Sequence, residues 1–313
     1  MAENKISANP TKETYPLFYL SDPPPSGLGF GFFDSPQKNP IPPPPPVEVF
    51  PSDEQLPTKS TAEPISINDT LVLLKGKVST FDVFGVSNSD LVAGKYEGGL
   101  KLWEGSLDLV KTLSSDVREG RLLLKGKRVL ELGCGHGLPG IFTCLEGAAA
   151  VHFQDFNSEV LRFLTIPNVE VNLSKEEDKK EKCISPDVRF FSGDWSEIHQ
   201  LLLPPRNDNH KKVTECISAE EDSDGYDVIL MAETVYALSS LQSLYELIKK
   251  CMRGPSGVVY MAGKKHYFGV GGGTRQFLHI LDQDGTMAAC LLAEVTDGSS
   301  NVREVWKFSL KQA

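Results

Sequence analysis

Nine residues from Val129 to Gly137, Val-Leu-Glu-Leu-Gly-Cys-Gly-His-Gly, constrain this chain more than any other stretch. Residues 128–132 read as a buried strand, and glycines at 133, 135 and 137 follow it at once. Such glycines let the backbone turn sharply and come close to a ligand. Residues 138–146 then read as a helix with Pro139 in its first turn, whose free N–H groups face the turn. Strand, glycine turn and helix together form the opening unit of a parallel α/β sheet.

The alternation continues downstream. Strands are predicted at residues 151–155, 188–192, 226–231 and 257–262, with helices at 157–164, 195–203, 238–252 and 275–281; Pro167 should end the first of these helices. Two late strands, 289–295 and 302–310, suggest an antiparallel hairpin at the sheet edge. The expected fold is α/β: a seven-strand, Rossmann-like, mostly parallel doubly wound sheet with that hairpin. Ahead of the core, occupying residues 121–313, residues 62–120 should form a small hairpin (71–86, around Gly76) and a helix (98–113).

Residues 1–61 carry prolines, serines and polar residues without a hydrophobic period, including an unbroken proline run from Pro42 to Pro46. A disordered tail with a local polyproline helix is expected there. Phe18, Tyr19, Phe30, Phe32 and Phe33 offer weak docking points within it. Residues 174–187 and 206–225 are charged and read as solvated loops.

A formal charge of -10 over 313 residues argues against general affinity for nucleic acid or an anionic membrane, because phosphate binding needs a basic face. The six cysteines show no CxxC pairing, so reduced thiols and no metal are expected. No stretch approaches the length of a membrane span and the first ten residues lack a signal-peptide core, which places the chain in cytoplasm and nucleus. A monomer is expected.

The glycine motif alone suits either a dinucleotide or a nucleoside cofactor, since Gly135, Gly137 and Gly140 with Asp155 also satisfy the dinucleotide fingerprint. Three features favour S-adenosyl-L-methionine. Glu131 precedes the first glycine by two residues, where methyltransferases of this fold place a carboxylate near the sulfonium. Gln154, Asp155 and Phe156 end the second strand, where a carboxylate can accept from ribose hydroxyls and an aromatic can flank adenine. Gly193, Asp194 and Trp195 end the third, where an acid suits the adenine amino group and indole gives a stacking face. Glu233 and Tyr236 follow the fourth strand on the rim that faces the transferring methyl group. His266, Tyr267 and Phe268 lead into the run from Gly269 to Gly273, which reads as a substrate-side loop, with His266 a candidate general base.

From about Val92 onward the chain resembles the eukaryotic protein-histidine N-methyltransferases that modify a large-subunit ribosomal protein. The residues that carry this are Tyr96-Glu97-Gly98-Gly99-Leu100-Lys101-Leu102-Trp103-Glu104, Val151 to Asn157, Phe190 to Trp195, Glu233 to Tyr236 and Lys265 to Gly273. The resemblance implies a protein substrate methylated on a histidine ring nitrogen. It also implies that Leu102, Trp103, Glu104, Gly105 and Ser106 lie over the cofactor, with Gly133, Gln154 to Phe156, Gly193 to Trp195 and Ala232 completing the pocket. A cysteine or similar residue is expected where this chain has Gly105. A protein-lysine methyltransferase of the same fold and a non-enzymatic, cofactor-holding assembly factor are the alternatives.

Overall fold

The computed structural model describes residues 43, 45–51, 62–87, 89–92, 94–177, 185–203, 225–296, 298 and 301–311. Its elements, in chain order, begin with β1 (Val47–Val49), β2 (Glu63–Ser66), β3 (Val72–Lys75), α1 (Thr80–Phe84), α2 (Glu104–Arg118), β4 (Arg128–Leu132) and α3 (Leu138–Leu145). Next come β5 (Ala150–Asp155), α4 (Ser158–Val160), α5 (Ile166–Glu177), β6 (Asp187–Ser192), α6 (His199–Leu202) and β7 (Val228–Ala232). The chain closes with α7 (Leu238–Cys251), β8 (Val258–Lys264), α8 (Thr274–Asp284), β9 (Met287–Val295) and β10 (Arg303–Leu310).

Eight strands form the main sheet in the order β1-β6-β5-β4-β7-β8-β10-β9. The five from β6 to β8 are parallel, while β10 runs antiparallel between β8 and β9. Order reverses between β4 and β7, the place where an open α/β sheet leaves a crevice beyond its strand ends. This is the seven-strand Rossmann-like sheet anticipated above, with one strand added.

The added strand lies in the stretch expected to be disordered. β1 pairs antiparallel with β6 through Val47 to Ser192 and Val49 to Phe190. Glu48 receives two hydrogen bonds from Arg189, each 2.7 Å, and Val49 is buried. An alternating Val-Glu-Val is too short to register as a period, yet it supplies one buried and one ion-paired side chain to an otherwise open edge. Residues 1–42, 44 and 52–61 of that tail lie outside the described residues, as do 178–184 and 206–224 of the charged stretches; residues 174–177, expected as loop, instead end α5, and Asp187 opens β6.

Burial on both faces explains the unbroken apolar strands: Val129, Leu130 and Leu132 are fully enclosed, and Phe153 stacks on Phe190 at 5.4 Å. One core cluster packs α2, α3 and the start of α5 on one face, and a second packs α7 and α8 on the other. Each enclosed Leu, Val or Phe contributes about 1.5–3 kcal/mol.

Four stretches depart from expectation. The hairpin is β2 with β3, earlier than residues 71–86; its turn is closed by Asn68, whose side-chain oxygen accepts from Leu71 N–H at 2.8 Å. Residues 80–84 are helical because Ser79 accepts from Asp82 N–H and Gly85 closes the end at φ 64. Pro167 does not stop the helix: Leu161–Thr165 widens into a π-turn, with Ile166 N–H bonded to Leu161 O, and this wider turn accommodates the proline, which has no N–H to donate. Residues 195–203 narrow to the four-residue α6, as Asp194 holds the preceding turn through Ser196 N–H and Oγ.

Candidate active site

The glycine turn is built around Asp155. Its Oδ2 accepts from Gly135 N–H at 2.9 Å and its Oδ1 from Asn157 N–H at 3.2 Å. Gly135 sits at φ 49, and a Cβ there would stand 2.9 Å from Gly99 O, so only glycine fits. Burial pushes the Asp155 carboxyl up to about 6. Gln154, beside it, ties three strand ends together: Nε2 donates to Gly193 O at 2.9 Å, and Oε1 accepts from Trp195 Nε1 at 2.9 Å and from Gly133 N–H at 3.4 Å. Trp195 and Phe156 are half-buried. Asp194 spends Oδ1 on Ser196, as a turn cap.

Glu131 lies deeper. Its Oε2 accepts from Gly140 N–H at 2.7 Å, inside the first turn of α3. Burial, with Asp155 nearby, pushes its carboxyl up to about 8.

A roof runs over this floor. Asn157 clamps it, accepting from Glu97 N–H at 3.1 Å and donating to Lys95 O at 2.9 Å. Trp103 Nε1 donates to Gly98 O at 3.0 Å, and Lys101 Nζ stands 4.4 Å over the indole. Leu102 packs half-buried on the core, and Ser106 Oγ turns back to Trp103 O at 2.8 Å. Glu104 is exposed and accepts from Arg303 at 2.8 Å, which takes its carboxylate to β10 and not to the glycine turn. Ala232, half-buried at the end of β7, lies opposite Ala262.

The most constrained residue is Glu233. It is the one non-glycine among the described residues at positive φ, 58°, a conformation that costs about 1–3 kcal/mol and persists only where its surroundings hold it. Its N–H donates to Ala262 O at 2.8 Å. Oε1 accepts from Gly105 N–H at 3.1 Å, and Oε2 accepts a short hydrogen bond from Tyr267 OH. Burial raises its carboxyl above the usual range; the Tyr267 hydrogen bond, Lys264, Gly105 and Arg303 oppose this. A Cβ on Gly105 would lie 2.6 Å from Oε1, so the glycine found where a cysteine or similar residue was expected makes room for the acid. Tyr236, three residues on, donates to Glu97 Oε2 on the roof. Both phenols are held far above their ordinary range, chiefly by burial, and keep their protons.

Thus Gly133, Gly135, Gln154, Asp155, Gly193 and Trp195 converge on one floor, and Glu233, Tyr236 and Gly105 on the adjoining rim. His266 stands apart, exposed, its ring 6.4 Å from that of Phe268. The neighbour Tyr267 reaches Glu233 instead. Tyr267, Glu97 and Asn157 had no assigned role in the sequence, since their contacts span 34 to 139 positions. Thr234 was missed as well: its Cγ2 would be 2.8 Å from a Cβ on Gly133, and its buried Oγ1 has no hydrogen-bond partner among the described residues.

Comparison with known proteins adds ancestry to this geometry. No protein-family model matches the sequence. A histidine protein methyltransferase 1 homolog of Dictyostelium discoideum is 39% identical over 226 residues, covering 72% of this chain and 62% of that one. Its Bos taurus counterpart is 37% identical over 227 residues, covering 68% and 56%. The chain is a relative of the histidine protein methyltransferase 1 homologues. It spans about three fifths of the length of these relatives. Among solved structures, a magnesium protoporphyrin IX methyltransferase from Synechocystis with bound SAM is 12% identical at a TM-score of 0.41, covering 66% of this chain and 79% of that one. A score of that size carries no weight beside the strand order, which establishes the fold on its own.

Proposed function

We propose that this relative of the histidine protein methyltransferases is itself an S-adenosylmethionine-dependent protein methyltransferase that modifies a histidine ring nitrogen, with a large-subunit ribosomal protein as acceptor. The observation that carries the reading is Glu233, strained, buried and fixed at both oxygens on the rim where an acceptor must arrive. The floor suits the cofactor: Asp155 lies where a carboxylate can accept from a ribose hydroxyl, the half-buried Trp195 brings an indole, and the Thr234 hydroxyl has an unmet hydrogen bond among the described residues. When bound, the cofactor supplies an electrophilic methyl group on sulfur.

The protein's own contribution is placement. In-line displacement needs nucleophile and methyl carbon held near contact with water excluded, and the roof clamped by Asn157 can serve both needs. Imidazole, with an unperturbed pKa of roughly 6.5, is already a free base at neutral pH and needs orientation more than deprotonation. Glu233 can accept from its distal N–H, fix the tautomer and balance the positive charge that develops. Tyr267 keeps Glu233 aimed, and Tyr236, anchored on Glu97, walls the acceptor channel.

Incubating the protein with unmodified ribosomal proteins and labelled S-adenosylmethionine, then hydrolysing the product, tests this. Labelled methyl-histidine is expected. Methyl-lysine without methyl-histidine overturns the histidine reading, and no transfer to any ribosomal protein overturns the acceptor.

A further inference from the structure

The loops after β7 and β8 are laced into a single rim. Gly272 N–H donates to Tyr236 O at 2.9 Å and Gly273 N–H to Val235 O at 2.8 Å, while Ala237 and Gly271 form an antiparallel bridge. Tyr267 N–H donates to Gly272 O at 3.0 Å and closes the loop upon itself. Within this held frame the Tyr267 side chain turns inward to Glu233. The apolar residues around it turn outward: Phe268 is 76% exposed, Leu238 55% and Val270 43%.

That exposure is not the ordinary scatter of surface hydrophobics. Nine large apolar side chains are exposed among the described residues; Phe268 and Val270 stand on the loop after β8 and Leu238 opens α7 beside it. An isolated exposed leucine means little, whereas a set of apolar side chains at the mouth of a site marks a binding surface. Leu238 and the Val270 side of the loop are adjacent, since a Cβ on Gly271 would lie 3.1 Å from Leu238 Cδ1. The hydrogen bonds rule out fraying as the cause.

Resting on the histidine-methylation reading, we infer that Phe268, Val270 and Leu238 form the docking surface for the substrate polypeptide. They take an apolar side chain that neighbours the acceptor histidine in an extended segment. Continuity with the acceptor position selects this occupant. Tyr267 donates to Glu233 and is flanked by Phe268, so a chain that delivers an imidazole to Glu233 lays its adjacent residues on the rim. An apolar contact of this kind discriminates by roughly 10–200-fold.

The experiment uses the full chain, labelled S-adenosylmethionine and synthetic peptides that each hold one histidine and one lysine. Flanking positions are varied among leucine, phenylalanine, serine and aspartate. The parent should methylate histidine and favour apolar flanks by about tenfold or more in kcat/KM. In Phe268→Ser with Val270→Ser, and separately in Leu238→Ser, that preference should shrink, the loss appearing in KM. S-adenosylhomocysteine affinity and Tm should stay at the parent's values, which excludes a general structural effect. Methyl-histidine without flank preference in the parent, or a preference retained in both variants, overturns this inference alone. Failure of every peptide, when intact ribosomal proteins are methylated on histidine, also overturns it, because the surface would then not read local sequence. Methyl-lysine as the sole product overturns the parent reading and this inference together.

Discussion

Replacing Gly105 by alanine sets two effects of known size against each other. Gly105 lies in the first turn of α2 with an ordinary helical backbone, and there Gly→Ala usually stabilises by about 0.4–1 kcal/mol. Here the new Cβ would stand 2.6 Å from Glu233 Oε1, 3.0 Å from its Cγ and 3.1 Å from its Cδ. Glu233 has little room to yield, because its N–H is held by Ala262 O and its other oxygen by Tyr267. The carboxyl must therefore release Gly105 N–H, a buried hydrogen bond to an acid, which costs about 1.5–3 kcal/mol. The loss exceeds the gain by about 1–2 kcal/mol, equivalent to a fall of about 2–8 °C in Tm for a domain of this size. If Glu233 acts on the developing charge as proposed, turnover should drop about tenfold or more on its displacement, while affinity for S-adenosylhomocysteine holds. Calorimetric melting, titration of S-adenosylhomocysteine and initial rates on the proposed ribosomal acceptor read all three. A variant that melts higher than the parent and turns over normally would refute the argument, because Glu233 would then not depend on the space at 105.

Three further outcomes are expected. Asp155→Ala should weaken S-adenosylhomocysteine binding by about 1.5–3 kcal/mol in calorimetry, and unchanged affinity would remove Asp155 from the site. Glu131, its carboxyl raised to about 8, keeps its proton in the folded state while the unfolded chain loses it near 4.5; its contribution to stability thus declines as pH rises between those values. Glu131→Gln, which preserves an acceptor for Gly140 N–H, should flatten the fall in Tm from pH 5 to 8, and a parallel fall in both proteins would contradict this. Deleting residues 1–51 removes Val49 and the Glu48–Arg189 pair and should cost about 1–2 kcal/mol, whereas deleting 1–42 spares them; equal melting of the two truncations would show that β1 adds nothing.

The parallel core was legible because strands buried on both faces leave an unbroken apolar signature: β4 falls on the predicted residues, and β5 to β8 within two positions of theirs. What escaped was local chemistry competing with pattern. Residues 80–84 have the β-branched and aromatic content of a strand, yet Ser79 and Gly85 cap them as a helix. Pro167 carries a stop signal that a π-turn cancels, and no composition announces a π-turn. β1 needed the β6 edge before three residues could count as a strand.

The site divides along the same line. Asp155, Gln154 and Gly135 could be read because strand, turn and next strand fix their relation through the fold itself, and Asp155 meets Gly135 across 20 positions of regular structure. The acceptor rim could not be read in that way. Glu233 and Tyr236 were visible as an acid and an aromatic after a strand, but their partners come from a roof more than 120 positions earlier and a loop about 30 later. Those partners decide what the acid can do. A glutamate merely near an acceptor would be a solvated base, whereas one with Gly105 and Tyr267 on its two oxygens is a fixed acceptor of hydrogen bonds with a single aim. The positive φ at Glu233 points the same way: the chain holds a costly backbone where the neighbouring Ala262 carbonyl, Gly105 and Tyr267 jointly hold it. Under the proposed reaction, positioning rather than proton abstraction is therefore the task that this rim suits.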